Sequence, residues 1–196
     1  MPGTPMSVAY DADRWIHIPL DYVDTPWADA GEWSGWLAEE ATRGRPDAEV
    51  LRDAVAAEAL AIALFPAAHV SLRFWHYPAD GAPTGFVDVF VQARDDDATA
   101  PADLLPDLGF TVVPPVVEPV AAEGMPTAVR RLSIQATLPS PDAEPMIVPK
   151  AEWIGAADGW VVYAVSTDFD ANQLESRLAD ADALFAAIDP AEAAAR

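Results

Sequence analysis

The three histidines of the sequence, His17, His69 and His76, are the first residues to test for metal or acid–base chemistry. His69 and His76 are seven residues apart in a segment that is typical of a strand. Side chains an odd number of positions apart on a strand point to opposite faces. No pair of histidines has the short spacing of a zinc-binding motif. We therefore expect no tightly bound metal and no cofactor, and we assign local hydrogen bonds to the histidines.

Motifs for nucleophilic catalysis and for phosphate binding are missing. The chain has no cysteine, which excludes thiolate ligands and cysteine nucleophiles. It has neither a GxSxG motif nor a glycine-rich phosphate loop. Ser166 and Thr167 stand between a strand and a helix, where we expect helix capping rather than anion binding. The acid cluster Asp95–Asp97 lacks the ligand spacing of a calcium loop, which favours a solvated turn. The sequence therefore predicts that the protein is not an enzyme.

The charge of the chain is strongly negative, which limits its partners. The sequence has 196 residues, with 32 acidic against 11 basic side chains and a net charge of −21. Nucleic acids and anionic lipids both require a basic surface, so we exclude them. We expect a protein partner with a basic surface, approached by electrostatic steering. No segment has the roughly 18 apolar residues of a membrane span, and the start lacks signal-peptide features, which predicts a cytoplasmic protein.

The first elements are predicted to be a strand and two helices. Arg14–Leu20 is a short apolar segment with a proline near its end, as expected for a strand. Glu32–Thr42 and Asp47–Leu64 have the apolar periodicity of helices. The expected apolar side of the first helix consists of Trp33, Trp36 and Leu37. The expected stripe of the second helix consists of Val50, Leu51, Val55, Ala59 and Ile62.

A hairpin is the clearest local signal in the chain. His69–Tyr77 and Phe86–Arg94 are strand-like and flank a loop rich in proline and glycine. We predict a register that places Tyr77 opposite Phe86. The period of two then separates an apolar core face from a face that alternates aromatic and charged residues. That second face consists of Arg73, Trp75, Tyr77, Phe86, Asp88 and Phe90.

The second face of this hairpin is the candidate binding site. Its four large aromatic side chains must be covered by helices, by a ligand or by a protein partner. Coverage by the second helix or by the C-terminal helix is one alternative, and a ligand pocket or a protein-binding patch is the other. In the second case, Arg73 and Asp88 would supply polar anchors in a largely apolar site.

The remaining segments are predicted to continue the sheet and to end with a helix. Phe110–Val120 is expected to be an edge strand or an irregular extended segment, because its prolines cannot donate to a ladder. Thr127–Leu138 alternates as a strand does, and Met146–Gly155 with Trp160–Thr167 form a second hairpin. Asp170 is expected to cap a helix that packs on the sheet. The apolar stripe of this helix consists of Leu174, Leu178, Ala181, Phe185 and Ile188.

Together these elements predict an α+β fold. Helices pack on an antiparallel sheet of about six to seven strands, in the order β-α-α-β-β-β-β-β-β-α. We expect a single domain over residues 14–189. Residues 1–13 are expected to form a flexible N-terminus and residues 190–196 a frayed C-terminus.

The order of elements also suggests a family. The segment Gly159–Asp168 (GWVVYAVSTD), which runs into a Leu- and Phe-striped helix, resembles the PsbP-like superfamily. That group includes a photosystem II extrinsic protein, a Ran-binding import factor and many small actinobacterial proteins. The resemblance implies a sheet between helices and a binding or assembly role, with no catalytic motif. The same order resembles the helix-grip fold of START-type binders, in which a curved sheet and the C-terminal helix enclose an apolar cavity.

From these features we expect a non-enzymatic domain that binds a protein partner, in an assembly, chaperone or immunity-like role. The alternative is a small-ligand binder with an apolar cavity between the sheet and the C-terminal helix. A cavity of roughly several hundred Å³ at that place favours the ligand. A filled core with an exposed aromatic patch favours the partner.

Overall fold

Two helices near the N-terminus and one near the C-terminus flank a run of antiparallel strands. This computed structural model describes residues 7–79, 81–94, 99–137, 144–157 and 159–189. The acid cluster Asp95–Asp97 and the predicted frayed end at 190–196 lie outside the described residues. In chain order the elements are β1 (Ser7–Val8), β2 (Trp15–Ile18), α1 (Ala30–Thr42), α2 (Ala48–Ala63), β3 (Leu72–His76), β4 (Phe86–Ala93), β5 (Val116–Pro119), β6 (Val129–Thr137), β7 (Met146–Ala157), β8 (Trp160–Thr167), α3 (Ala171–Ala186) and β9 (Ile188–Asp189).

Seven of the described strands form one antiparallel sheet in the order β2-β3-β4-β8-β7-β6-β5. The predicted α+β class, the antiparallel sheet and the order of helices and strands are confirmed. β1 and β9 form a separate antiparallel pair. The two residues of β1 therefore take part in the fold, although the sequence predicted a flexible segment over residues 1–13.

Helix α1 begins where neighbouring side chains satisfy its first amides. The side chain of Asp29 accepts a hydrogen bond from the Glu32 amide at 2.9 Å, and the side chain of Glu32 accepts one from the Ala28 amide at 2.6 Å. This reciprocal arrangement satisfies amides near the start of the helix. Helix α2 ends shortly before Pro66, which cannot continue a helix. The two helices pack against each other and against β2 and β3.

Helices cover the sheet on both sides, and each side has its own core. We call the two sides the α1–α2 face and the α3 face. The core of the α1–α2 face consists of Ile18, Trp33, Leu37, Ala38, Val55, Ala59, Ile62 and Trp75. The core of the α3 face includes Trp15, Phe74, Val87, Val89, Trp153, Ala164, Leu174, Leu184 and Phe185. For this reason β3 and the first half of β4, as far as Val89, are largely buried on both sides.

The predicted register of the β3–β4 hairpin is wrong by two residues. Trp75, rather than Tyr77, lies opposite Phe86, and Arg73 lies opposite Asp88. A shift of two residues is one full period of side-chain direction. The division of the hairpin into two faces therefore remains as the alternation predicted.

The turn of the hairpin explains this difference. The amide of His76 donates to the carbonyl of Gly85, and the carbonyl of His76 accepts from the amide of Thr84. Two residues of one strand thus bond to one residue of the other, which is a bulge. Gly85 has a φ of 105°, a conformation that favours glycine. Tyr77 leaves the hairpin and donates its amide to Arg14 beside β2.

Several residues expected in regular elements or in the core are placed differently. Trp36 is exposed because it lies beside the buried stripe of α1, and its ring packs at an angle against Trp27, with centroids 4.8 Å apart. Val50 is exposed in the first turn of α2. Ile188 is buried, but in β9 and not in the helix. His69 precedes β3 with a φ of 63°, so the two histidines do not share a strand.

Strand β5 forms one edge of the sheet, as its prolines predicted. The Val120 amide donates to the carbonyl of Ala128 at 3.0 Å, and amide directions alternate along an antiparallel strand. Val117 and Pro119 are therefore the residues of β5 whose nitrogens point away from β6. Pro119 has no N–H, so Val117 supplies the single outward amide of this strand.

Candidate functional site

The predicted binding face of the hairpin is largely covered by helices. Trp75 is fully buried among side chains of α1 and α2, and its ring lies 4.9 Å from that of Tyr77. Phe86 is half-buried and meets Phe65, which follows α2, at a ring distance of 5.3 Å. Of the alternatives that the sequence leaves open, coverage by helices describes this part of the face.

Arg73 and Asp88 serve this same packing. Arg73 is fully buried and donates to Asp88. Its other donors reach the carbonyls of Ile62, Phe65 and Pro66, at distances of 2.8–3.1 Å. These carbonyls lie at the end of α2, where helical partners are lacking. The two charged residues therefore hold a helix end on the sheet and are not free to anchor a ligand.

Phe90 lies on the same face but outside the α1–α2 core. Its ring packs against Tyr163 of β8, with centroids 5.6 Å apart. The segment after β4 includes a short 3₁₀ turn, Pro101–Leu104, and contacts β7. A cavity of about 380 Å³ lies between this segment and the sheet. The residues that line it are Phe90, Gln92, Ala93, Arg94, Leu104, Pro106, Ile154, Val161 and Tyr163.

Next to this cavity is a group that we call the Glu152 cluster, which consists of Arg131, Lys150, Glu152 and Tyr163. The carboxylate of Glu152 is fully buried. One of its oxygens accepts from the Tyr163 hydroxyl at 2.7 Å and contacts Lys150 Nζ at 2.8 Å. Its other oxygen accepts from Arg131 Nε at 2.9 Å. Arg131 also donates to the Pro106 carbonyl at 2.8 Å. Tyr163 and Pro106 thus connect the cluster to the cavity wall.

The surroundings of Glu152 favour its charged form. Burial alone raises the pKa of the carboxyl group, but hydrogen bonds from Lys150, Tyr163 and Arg131 outweigh it, so the pKa of Glu152 lies below its ordinary value. Burial and the carboxylate of Glu152 raise the pKa of Tyr163. At neutral pH the tyrosine is therefore a neutral donor, and the glutamate is a charged acceptor.

Sequence reasoning missed the Glu152 cluster because three different strands supply it. Arg131 lies on β6, Lys150 and Glu152 on β7, and Tyr163 on β8. One signal was present in the sequence: Lys150 is the only lysine, and it stands two residues before a glutamate within a strand-like segment. A period of two places both side chains on one face.

A second concave site lies on the α3 face, between strands β6 and β7 and the first turns of α3. This groove has a volume of about 300 Å³. Its polar lining residues are Ser133, Lys150 and Glu175, of which Lys150 directs its ammonium group to Glu152 on the other side of the sheet. Its apolar lining consists of Val113, Pro114, Val116, Leu132, Ile134, Pro149, Ala171, Leu174 and Leu178. This groove lies where the ligand alternative places an apolar cavity, between the sheet and the C-terminal helix, but it is open to solvent and not enclosed.

Exposed apolar side chains extend the surface of this groove. We call them the apolar end of the sheet, and they are Phe110, Val112, Val113, Val116 and Ile147. Phe110 and Val112 bond through their backbones to Ala136 and Ile134 of β6. Val116 and Ile147 are paired with residues of β6 that face α3. The apolar character of the α3 face therefore continues past the helix that covers its centre.

His76 belongs to a buried polar group that the sequence did not indicate. Its Nδ1 lies 2.6 Å from Thr84 Oγ1, and its Nε2 lies 2.8 Å from Asp180 Oδ2. Burial lowers the pKa of His76, and the hydrogen bond with Asp180 acts in the opposite direction. Hydrolases also align a hydroxyl, an imidazole and a carboxylate, but there Nε2 faces the hydroxyl. Here Thr84 also bonds through its backbone to His76 and Arg177, so the group fastens the hairpin turn to α3.

Among the described residues, no group of three histidine or acidic side chains is placed to hold a metal ion. In the described part of the chain, none of the helices has the length and apolar character needed to cross a membrane. Comparison of the sequence with protein-family models and with curated proteins gives no match. The function must therefore be inferred from the geometry and the charge of the molecule itself.

Proposed function

We propose that this chain is a non-enzymatic binding protein that docks a protein partner on the apolar end of the sheet. The observation that carries the proposal is the joint exposure of five bulky apolar side chains on one sheet face, beside an apolar groove. Phe110 is 73% exposed, far from the burial of a core residue. Contiguous apolar surface on a protein in water is characteristic of an interaction site.

The charge of the chain indicates the chemistry of the partner. The net charge is −21, and Glu175 lies in the groove lining. A partner surface with apolar side chains surrounded by lysine or arginine would complement both the apolar groove and the negative charge of this chain. Electrostatic attraction acts over about one Debye length, roughly 8 Å at physiological salt. It should accelerate association, so added salt should slow association more than it changes dissociation.

An assembly, chaperone or immunity-like role fits such a surface, because proteins of these kinds cover apolar or basic surfaces of another protein. The resemblance to the PsbP-like superfamily supports this proposal, since its members act mainly as binding or assembly factors. The covered hairpin face, where Trp75 is fully buried, supports placing the interface elsewhere.

Two neighbouring valines provide a matched test. Val116 is 51% exposed on the α3 face and Val117 is 50% exposed on the opposite face. A partner captured at low salt is first identified and purified, and its affinity for Val116→Asn and Val117→Asn is then measured. Val116→Asn should weaken binding about tenfold, as burial of an unpaired amide does, whereas Val117→Asn should not. Equal affinity for the two variants would contradict the proposal.

The groove itself favours a second function, the binding of a small apolar ligand. Its volume of about 300 Å³ and its apolar lining with a few polar groups are typical of the smaller ligand pockets. Native mass spectrometry of the purified protein separates the two functions. A bound molecule that is lost in Leu178→Trp, which fills the groove, would favour the ligand. Partner binding that is lost in Val116→Asn, with no bound molecule, would favour the protein partner.

A further inference from the structure

The buried arginines of this protein differ in how their charges are balanced. The described residues include three of them, Arg73, Arg131 and Arg177. Arg73 pairs with Asp88 and Arg177 with Asp168, so each of these has its own carboxylate. Arg131 shares the carboxylate of Glu152 with Lys150. The Glu152 cluster therefore contains two cations and one anion.

This excess of positive charge does not result from a shortage of carboxylates, because the chain has 32 acidic residues and 11 basic ones. A buried charge that has no counter-charge of its own raises the free energy of the folded state. An anion from solution would provide the missing charge. Lys150 Nζ contacts the same Glu152 oxygen as the hydroxyl of Tyr163, which lines the cavity, so an anion beside this hydroxyl lies close to the ammonium group.

The cavity beside the cluster offers apolar surface for the rest of such a molecule. The rings of Phe90 and Tyr163 form one wall, and Leu104 and Pro106 belong to the segment on the other side. The Tyr163 hydroxyl is held by Glu152, which fixes the position of its ring. The volume of about 380 Å³ lies at the small end of ligand pockets.

We propose that this cavity binds a small organic acid, whose flat apolar body lies against Phe90 and Tyr163 and whose carboxylate balances the second cation of the Glu152 cluster. This site is separate from the apolar end of the sheet, which belongs to the other side of the molecule. It can therefore be tested on the isolated chain, without a protein partner.

Sodium benzoate and its uncharged analogue benzamide are suitable probes, with binding followed by calorimetry and by chemical shifts of the full-length protein. Benzoate should bind at least about tenfold more tightly than benzamide, because only benzoate supplies the negative charge. No benzoate binding at about 10 mM, well above a dissociation constant of about 1 mM, would overturn the proposal. Equal affinities for the two probes would overturn it as well.

Substitutions then locate the site. Lys150→Met removes one cation and leaves Arg131 and Glu152 as a one-to-one pair, so benzoate affinity should fall about tenfold. Any preference for benzoate over benzamide that remains belongs to Arg94, which also lines the cavity. Lys150→Arg should retain benzoate binding. Leu104→Trp should block the cavity for both probes, whereas Leu178→Trp, in the groove on the other face, should block neither.

Unchanged benzoate affinity in folded Lys150→Met, or in Leu104→Trp, would contradict the proposed site. Circular dichroism and melting curves establish whether each variant is folded. If Lys150→Met does not fold, the difference between benzoate and benzamide on the parent protein and the result with Leu104→Trp decide the matter.

Discussion

Arg73 and Asp88 face each other across β3 and β4 and form a two-pronged ion pair, with Nε–Oδ1 at 2.6 Å and Nη2–Oδ2 at 2.9 Å. The same guanidinium group bonds to three carbonyls at the end of α2. Its charge lies over the adjacent rings of Phe65 and Phe86, at 5.4 and 4.9 Å from their centroids. One side chain thus joins a helix end to two strands, which explains why charged residues alternate with aromatic ones on this hairpin.

Substitution of Arg73 by methionine should therefore strongly destabilise the folded protein. Asp88 and the helix-end carbonyls would lose their donor inside the fold, and we expect the free energy of unfolding to fall by about 3–5 kcal/mol. Urea unfolding at neutral pH measures this change. Arg43→Met is the control, because Arg43 pairs with Glu40 on the exposed surface and should change stability by no more than about 1 kcal/mol. Similar losses in the two variants would show that the Arg73 pair has no special structural role.

Glu152→Gln should lower stability by about 3–5 kcal/mol at neutral pH, because Lys150 and Arg131 lose their carboxylate. The pKa of Glu152 is depressed in the folded protein, so its contribution is present above the ordinary pKa of 4.5 and is lost as pH falls through the lower folded value. The difference from the parent protein should narrow below pH 4.5. Urea unfolding between about pH 7 and pH 3 tests this expectation, and a constant difference would contradict it.

His76 should make the fold sensitive to mild acid. Its pKa is lowered in the folded protein, so below the ordinary value of 6.5 the unfolded chain takes up a proton that the folded state resists. Stability should decrease as pH falls from about 7 to about 5, and His76→Gln should show a flatter profile over that range. Melting temperatures across the range measure both proteins. Parallel profiles would mean that other groups cause the pH dependence.

A side chain at position 85 is expected to destabilise the protein. The φ of Gly85, 105°, disfavours other residues, and a Cβ atom there would lie 3.1 Å from the buried guanidinium carbon of Arg177. Gly85→Ala should cost about 1–3 kcal/mol of unfolding free energy. Gly35→Ala in α1, where nothing lies within 4 Å of the added carbon, should stabilise the protein by about 0.5–1 kcal/mol. Chemical denaturation measures the free energy of unfolding of both variants. A change of the same sign in the two variants would contradict the special role of glycine at position 85.

The two faces of the hairpin could be predicted from the sequence, whereas its register could not. Side-chain direction depends only on the alternation of residues, which Phe74 and Trp75 show directly. The register depends on the backbone of the turn, where Gly85 adopts a positive φ and Thr84 adds a bulge. A sequence of proline, glycine and small residues allows several such turns.

Burial of the predicted binding face depends on contacts between elements that are distant in the sequence. The alternation of residues along one strand gives no information about such contacts. Trp75 and Phe90 lie on the same face and follow the same alternation, but α1 and α2 cover Trp75 and leave Phe90 beside a cavity. The bounds of α1 and α2 could be predicted closely, whereas the width of sheet that this helix pair covers could not. The Glu152 cluster was unpredictable for a similar reason, since Arg131 and Glu152 meet only when β6 pairs with β7.

The single outward amide of β5 affects how molecules behave at high concentration. Fibril growth requires a row of free backbone donors and acceptors on which the next strand can form. Pro119 removes one of the two outward donors of β5, so a second chain can form fewer backbone hydrogen bonds to this edge than to an ordinary edge strand. At this edge, copies that meet are therefore expected to associate through side chains rather than through a continuous ladder.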